Sequence, residues 1–140
     1  MSPAHSDRKR ILCVEDDLDA CEQIQVSLTL HHLEQYELVF ATDLASGIQL
    51  AKGLHFDLYL IDDLLPDGAG LDLARWIRTF DSRTPLVIHS ASAYAEDVRL
   101  GLEVGAQAYL TKPSDPNHIV EVIKTLVSPR EARAMSAAGD

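Results

Sequence analysis

The sequence predicts an α/β fold, a doubly wound five-stranded parallel sheet with helices on both faces. Two observations carry this. Short uninterrupted apolar runs, residues 11–14 and 58–61 foremost, read as strands buried on both faces rather than half-solvated ones. Longer segments with apolar residues three and four apart separate them, and this strand–helix alternation calls for a parallel sheet with right-handed crossovers.

In order along the chain, residues 1–9 include Ser2, Pro3, His5 and Ser6 with no apolar period and are expected to form a flexible arm. The first strand, residues 11–14, ends in Glu15-Asp16-Asp17. A helix is predicted over 18–33, with Cys21, Ile24 and Leu28 at helical spacing and Asp17 or Asp19 as its cap. Residues 36–41 form the second strand. Thr42-Asp43 then caps a short helix carrying Leu44, Ile48 and Ala51, with Gly53 closing it. The third strand, 58–61, meets Asp62 and Asp63 before the turn residues Pro66-Asp67-Gly68. A helix over 71–80 buries Leu71, Ala74 and Ile77. After a turn at 81–84, strand four spans 85–89. Helix four, 96–104, is weakened by Gly101 and closed by Gly105. Strand five covers 107–111, and Ser114 or Asp115 caps a last helix with Ile119, Val122, Ile123 and Leu126 on one face. Residues 10–128 thus form one domain, and 129–140, lacking an apolar stripe, are expected to be a disordered tail.

Composition narrows the function. The 140 residues are 46% hydrophobic and 24% charged, a globular balance. A formal net charge of −10 argues against direct binding to nucleic acid or anionic membranes. The basic run before residue 11 precedes too short an apolar stretch for a signal peptide, and no segment has membrane-spanning length. Cys13 and Cys21 lack metal-ligand spacing and read as buried thiols of a cytoplasmic protein.

The chemistry gathers at the strand ends. The pattern does not compute strand order, but the common order 2-1-3-4-5 would bring Glu15, Asp16 and Asp62 to one rim, where open α/β sheets bind ligands. Carboxylates so placed repel one another unless a hard cation such as Mg²⁺ sits among them. Ser90 and Lys112 end strands four and five, adding a hydroxyl and an ammonium. A carboxylate nucleophile, a cation, a hydroxyl and an ammonium are the parts that aspartyl-phosphate formation needs.

Five motifs carry a resemblance over residues 10–127: Ile11-Leu-Cys-Val-Glu15-Asp16-Asp17, Asp62-Asp-Leu-Leu-Pro66-Asp-Gly68-Ala-Gly70, Pro85-Leu-Val-Ile-His-Ser90-Ala91, Gly105-Ala106 and Tyr109-Leu-Thr-Lys112-Pro113. In this order and spacing, they make the chain resemble a response-regulator receiver domain of bacterial two-component signalling, similar to single-domain chemotaxis-type regulators. The resemblance implies a flavodoxin-like strand order and phosphoryl transfer to Asp62 from a sensor histidine kinase or histidine phosphotransfer protein. It implies Mg²⁺, with Mn²⁺ as a substitute, held by Glu15, Asp16, Asp62 and the Leu64 carbonyl. By the same resemblance Ser90 is the switch hydroxyl and Lys112 the phosphate partner, joined to Pro113 by a cis bond. Tyr109 is the aromatic that reports the state to a downstream protein, or to self-association, through the face of helix four, strand five and helix five. Leu64 and Ser92 flank the approach of a hydrolytic water.

Asp63 departs from the common receiver pattern; strand alternation points it away from Asp62, toward solvent or a helix cap. His89 is expected to be a hydrogen-bonded core histidine. Ser114 is expected to loosen the start of helix five, and Gly101 to soften helix four. Three other readings compete with a stand-alone regulator, shuttle or receiver fragment. A phosphatase like the haloacid dehalogenases needs a second Asp where Leu64 stands. A flavin carrier would find its phosphate repelled by residues 15–17. A pseudo-receiver that binds partners without phosphorylation would not need the full acid set.

Overall fold

The computed structural model describes residues 8–127. The tail expected over 129–140, and the arm apart from Arg8 and Lys9, lie outside the described residues. The elements are β1 (Lys9–Val14), α1 (Leu18–Leu30), β2 (Tyr36–Ala41), α2 (Leu44–Gly53), β3 (Leu58–Asp62), β4 (Leu64–Leu65), β5 (Gly68–Ala69), α3 (Gly70–Arg78), β6 (Leu86–Ser90), α4 (Ala95–Glu103), β7 (Ala108–Thr111) and α5 (Pro116–Leu126). The main sheet runs β2-β1-β3-β6-β7, all parallel, which is 2-1-3-4-5 once the β4–β5 hairpin is set aside.

Strand alternation divides the core in two. Leu12, Val14, Tyr59, Ile61, Leu86 and Ile88 pack with Ala51 of α2 and with Leu73, Ala74 and Ile77 of α3. Ile11, Cys13, Leu58, Leu60 and Val87 pack on the other face with Ile24 and Leu28 of α1 and Ile119, Val120 and Ile123 of α5. Cys13 and Cys21 are free and buried, their sulfurs 3.9 Å apart.

Several boundaries moved for local reasons. Lys9 belongs to β1 rather than to an arm, because it pairs with Tyr36 and donates to the Gln35 carbonyl (2.8 Å). Helix α1 stops at Leu30, short of 33: His31 caps it and His32 turns to φ 56°, left-handed backbone incompatible with a continuing helix. Helix α3 buries Gly70, Leu73, Ala74 and Ile77, so Leu73 rather than Leu71 heads the inner face. In α5 the buried residue beside Ile119 is Val120, with Val122 and Leu126 only partly covered.

The expected turn at 66–68 is the tip of the hairpin β4–β5. Asp67 there accepts from the Leu44 (2.6 Å) and Ala45 (3.0 Å) N–H groups, free donors in the first turn of α2. These bonds hold its carboxyl below the usual range. Behind the hairpin, a Cβ on Gly70 would lie 1.9 Å from the Asp62 carbonyl oxygen. Only glycine lets α3 start that close to the end of β3.

His89 is 7% exposed, and its Nε2 lies 3.1 Å from Ser114 Oγ, which donates to the Thr111 carbonyl (2.9 Å). The histidine is therefore hydrogen-bonded in the core, and Ser114 ties the approach to α5 instead of loosening it; Asp115 is the cap. Burial, with Lys112 nearby, pushes the His89 imidazole down to about 4, against the pull of Asp62. Between the ordinary 6.5 and 4, the unfolded chain therefore holds a proton that the native protein lacks. The His89 contribution to stability is full above pH 6.5 and is lost as pH falls toward 4. Urea unfolding across that range should show wild type losing more stability than His89→Gln; parallel losses would contradict a neutral buried imidazole.

Candidate functional site

Because the main strands are parallel, their C-terminal ends share one rim. Glu15 follows β1, Asp62 ends β3, Ser90 ends β6 and Lys112 follows β7. One carboxylate oxygen from each of Glu15, Asp16 and Asp62 lies within 4.8 Å of the others. Glu15 and Asp62 are buried and Asp16 is exposed. Lys112 Nζ bridges the buried pair, donating to Glu15 Oε1 (2.9 Å) and Asp62 Oδ2 (3.0 Å). The other Asp62 oxygen accepts from the Leu64 N–H (3.2 Å). Asp17 is the α1 cap, accepting from the Asp19 N–H (3.0 Å).

Charge is crowded here. Burial first, and then the neighbouring Asp62, push the Glu15 carboxyl up to about 7, although Lys112 and the Asp17 N–H favour its charged form. Burial by itself would lower Lys112, but its two carboxylate partners outweigh that and raise it. One ammonium thus serves two buried acids, with a third carboxylate at the mouth. The donor set, all hard oxygen and in excess of the positive charge, fits Mg²⁺ or Mn²⁺.

Ser90 is fully buried, and its neighbour is a surprise. Its hydroxyl donates to Asp63 Oδ2 (2.7 Å) and accepts from the Ser92 N–H (2.9 Å). Alternation does point Asp63 away from Asp62, as expected. However, Asp62 pairs with His89 across β3 and β6, so the next residues along, Asp63 and Ser90, come together on the other side. Asp63 is half-buried and caps no helix among the described residues; its carboxylate is bonded to Ser90, a partner the expected solvated or capping role did not include. The signal was present in the sequence only once strand register was known.

Comparison with known proteins agrees with this rim. The family model described as response regulator receiver domain matches residues 11–124. The chain belongs to the response-regulator receiver family. It is 36% identical over 129 residues to a probable transcriptional regulatory protein of Picosynechococcus, covering 87% of this chain and 50% of that protein. It is 34% identical over 128 residues to the cell cycle response regulator CtrA of Brucella ovis, covering 91% of this chain and 53% of CtrA. The receiver thus spans about half the length of these relatives. A CheY-like receiver domain from Methanospirillum hungatei superposes with a TM-score of 0.79 at 28% identity, over 90% of this chain and 98% of that one.

In this receiver the cleft at the rim has a volume of about 530 Å³, and Asp16, Asp62, Asp63, Leu64, Ser90, Ser92 and Lys112 are among its lining residues. Tyr109 stands outside it. Its hydroxyl donates to the Ser92 carbonyl (2.9 Å), and its ring lies against α4 where a Cβ on Gly101 would come within 2.8 Å of Cδ2. Gly101 thus seats Tyr109, a role beyond the softening of α4 expected from sequence. Leu64 is 77% exposed at the cleft mouth. Ser92 donates its hydroxyl proton to Asp97 of α4, a partner not foreseen because the bond crosses from the loop after β6 into the first turn of the helix. The Lys112–Pro113 bond is cis.

The crowding of acids has a thermodynamic consequence. Mg²⁺ binding only the folded receiver should raise its stability, by about 2.7 kcal/mol at 100 times Kd. Asp16→Ala removes a like charge, so the metal-free variant should melt no lower than wild type while losing the Mg²⁺ response. A Mg²⁺-induced shift surviving that substitution would show that the ligands lie elsewhere.

Proposed function

We propose that this receiver accepts a phosphoryl group on Asp62 and acts as a conformational switch. The observation that carries the reading is the Lys112 bridge between Asp62 and Glu15, beside Asp16 and at the same rim as Ser90. An Asp62 oxygen attacks phosphorus of a phosphohistidine that is protonated on its other ring nitrogen; a P–O bond forms, the P–N bond breaks and neutral imidazole leaves with the electron pair. Lys112 is already within hydrogen-bond distance of the acceptor and turns to the new phosphoryl oxygens. Mg²⁺ or Mn²⁺, held by Glu15, Asp16, Asp62 and the Leu64 carbonyl, supplies charge neutralisation for this transfer when bound.

The donor is a sensor histidine kinase or histidine phosphotransfer protein. Beyond its receiver relatives, α1 supports a protein donor by exposing Leu18, Val26 and Leu30. Signal leaves when Ser90 turns to the phosphoryl group and Tyr109 follows, changing the α4–β7–α5 face for a downstream protein or a second copy. The receiver turns over no separate substrate. Leu64, two positions after the acceptor, offers no acid or base, and Ser92 has committed its proton to Asp97. A positioned general base contributes about 10²–10⁴-fold to such a hydrolysis, so the phosphoryl group should be long-lived.

A small phosphodonor with Mg²⁺ should add one phosphoryl group, read by intact mass, and Asp62→Asn or chelation should prevent it. Undiminished labelling of Asp62→Asn would refute the acceptor. After donor removal, Leu64→Asn should lose label faster than wild type; equal or slower decay would remove the argument from Leu64.

A further inference from the structure

A serine hydroxyl has one proton to give, and Ser90 has given its proton to Asp63. Its oxygen also accepts from the Ser92 N–H, and at zero exposure it has no water to turn to. Bonds to an ionised acceptor are roughly twice as strong as neutral ones. Asp63 makes no other side-chain hydrogen bond among the described residues, and both Lys112 bonds go elsewhere, to Glu15 and Asp62. This carboxylate also lines the cleft beside the acceptor.

We propose that Asp63 is a positioning residue that keeps the switch hydroxyl of Ser90 engaged in the unphosphorylated receiver, so that a phosphoryl group on Asp62 must win that proton from it. The proposal rests on the phosphoacceptor reading above. It goes beyond that reading in placing a competing acceptor within the switch. The cross-strand register puts the competitor one residue after the acceptor, on the strand face where Ser90 lies. Activation then exchanges one charge-assisted bond for another instead of filling an unused donor. The resting state is correspondingly favoured, and the response needs a fully charged, correctly placed phosphoryl group.

The test uses beryllofluoride with Mg²⁺ as the phosphoryl probe, on the full chain. Losing a hydrogen bond to a charged group should shift the balance about tenfold or more, so Asp63→Ala should bind the probe about tenfold more tightly. Asp63→Asn, which keeps a weaker acceptor, should fall between Ala and wild type. In a Ser90→Ala background, Asp63→Ala should bring no such gain. In the probe-free protein, hydrogen exchange at the Ser92 amide should quicken in Asp63→Ala, because its acceptor is no longer held.

Equal gains with and without the Ser90 hydroxyl would reduce the effect to charge removal and overturn the proposal. Weaker Mg²⁺ binding in Asp63→Asn with no gain for the probe would make Asp63 a metal ligand and overturn it too. Unchanged Ser92 exchange and unchanged affinity in Asp63→Ala would do the same while leaving Asp62 as acceptor. A wild type that binds no beryllofluoride and takes no phosphoryl group would remove the underlying reading and this inference with it.

Discussion

Two buried carboxylates sharing one ammonium set the terms for everything at this rim. Glu15 and Asp62 are brought within reach of each other by the parallel pairing of β1 and β3. Taking charged groups out of water is costly, and removing one member of such a set would leave the others uncompensated. Burial, with Asp62 beside it, raises the Glu15 carboxyl, a direct expression of that cost. A site of this kind is poised for cationic and phosphoryl ligands because each relieves or replaces an interaction already under load.

Close packing keeps that load in place. The Gly70 backbone sits against the Asp62 carbonyl, and its N–H donates to the Asp63 carbonyl (2.9 Å). Asp67 anchors the intervening hairpin on the first turn of α2. The two acids that follow the β3 core are therefore fixed from behind and from the side, while the cleft in front stays open. Arg78 braces the far end of the sheet, donating to the Gly105 carbonyl (2.8 Å) and to Gln107 (3.2 Å). Gln107 in turn accepts from the first N–H of β6. Strand ends that must present functional groups at fixed separations are held by side chains that take no part in the chemistry.

Much of this was legible in sequence because strand periodicity and chain order do most of the work. The runs at 11–14 and 58–61 gave away a doubly covered sheet, and residues that end such strands share a rim whatever the details. Glu15, Asp16, Asp62 and Lys112 therefore come together as expected. What escaped depends on register and loop geometry. Asp63 was correctly turned from Asp62, yet its meeting with Ser90 requires knowing that Asp62 pairs with His89. The bonds from Ser92 to Asp97 and from Asp67 to α2 run between loops and helix starts, where no period predicts a partner. Gly101 reads as a weak point in a helix because propensity is local, whereas its reason is a ring arriving from β7.

Ser92 joins the cleft to the surface opposite it. Its N–H donates to Ser90, its carbonyl accepts from Tyr109 and its hydroxyl donates to Asp97. Three elements, β6, β7 and α4, thus meet at one residue on a loop with no hydrophobic core of its own. If Ser90 turns, the Ser92 amide loses its acceptor, and the loop cannot adjust without altering the carbonyl that Tyr109 holds or the hydroxyl that α4 holds. Intermediacy alone would not make this a pathway; coupling needs an element with two discrete arrangements that both ends bias. The Ser90 hydroxyl provides the first such choice, between Asp63 and a phosphoryl group. Tyr109 is the candidate for the second: among the described residues its hydroxyl bonds only the Ser92 carbonyl, while its ring lies against Gly101. On the proposed switch, a proton changing acceptors at the rim reaches Tyr109 through the single loop residue that bonds both side chains.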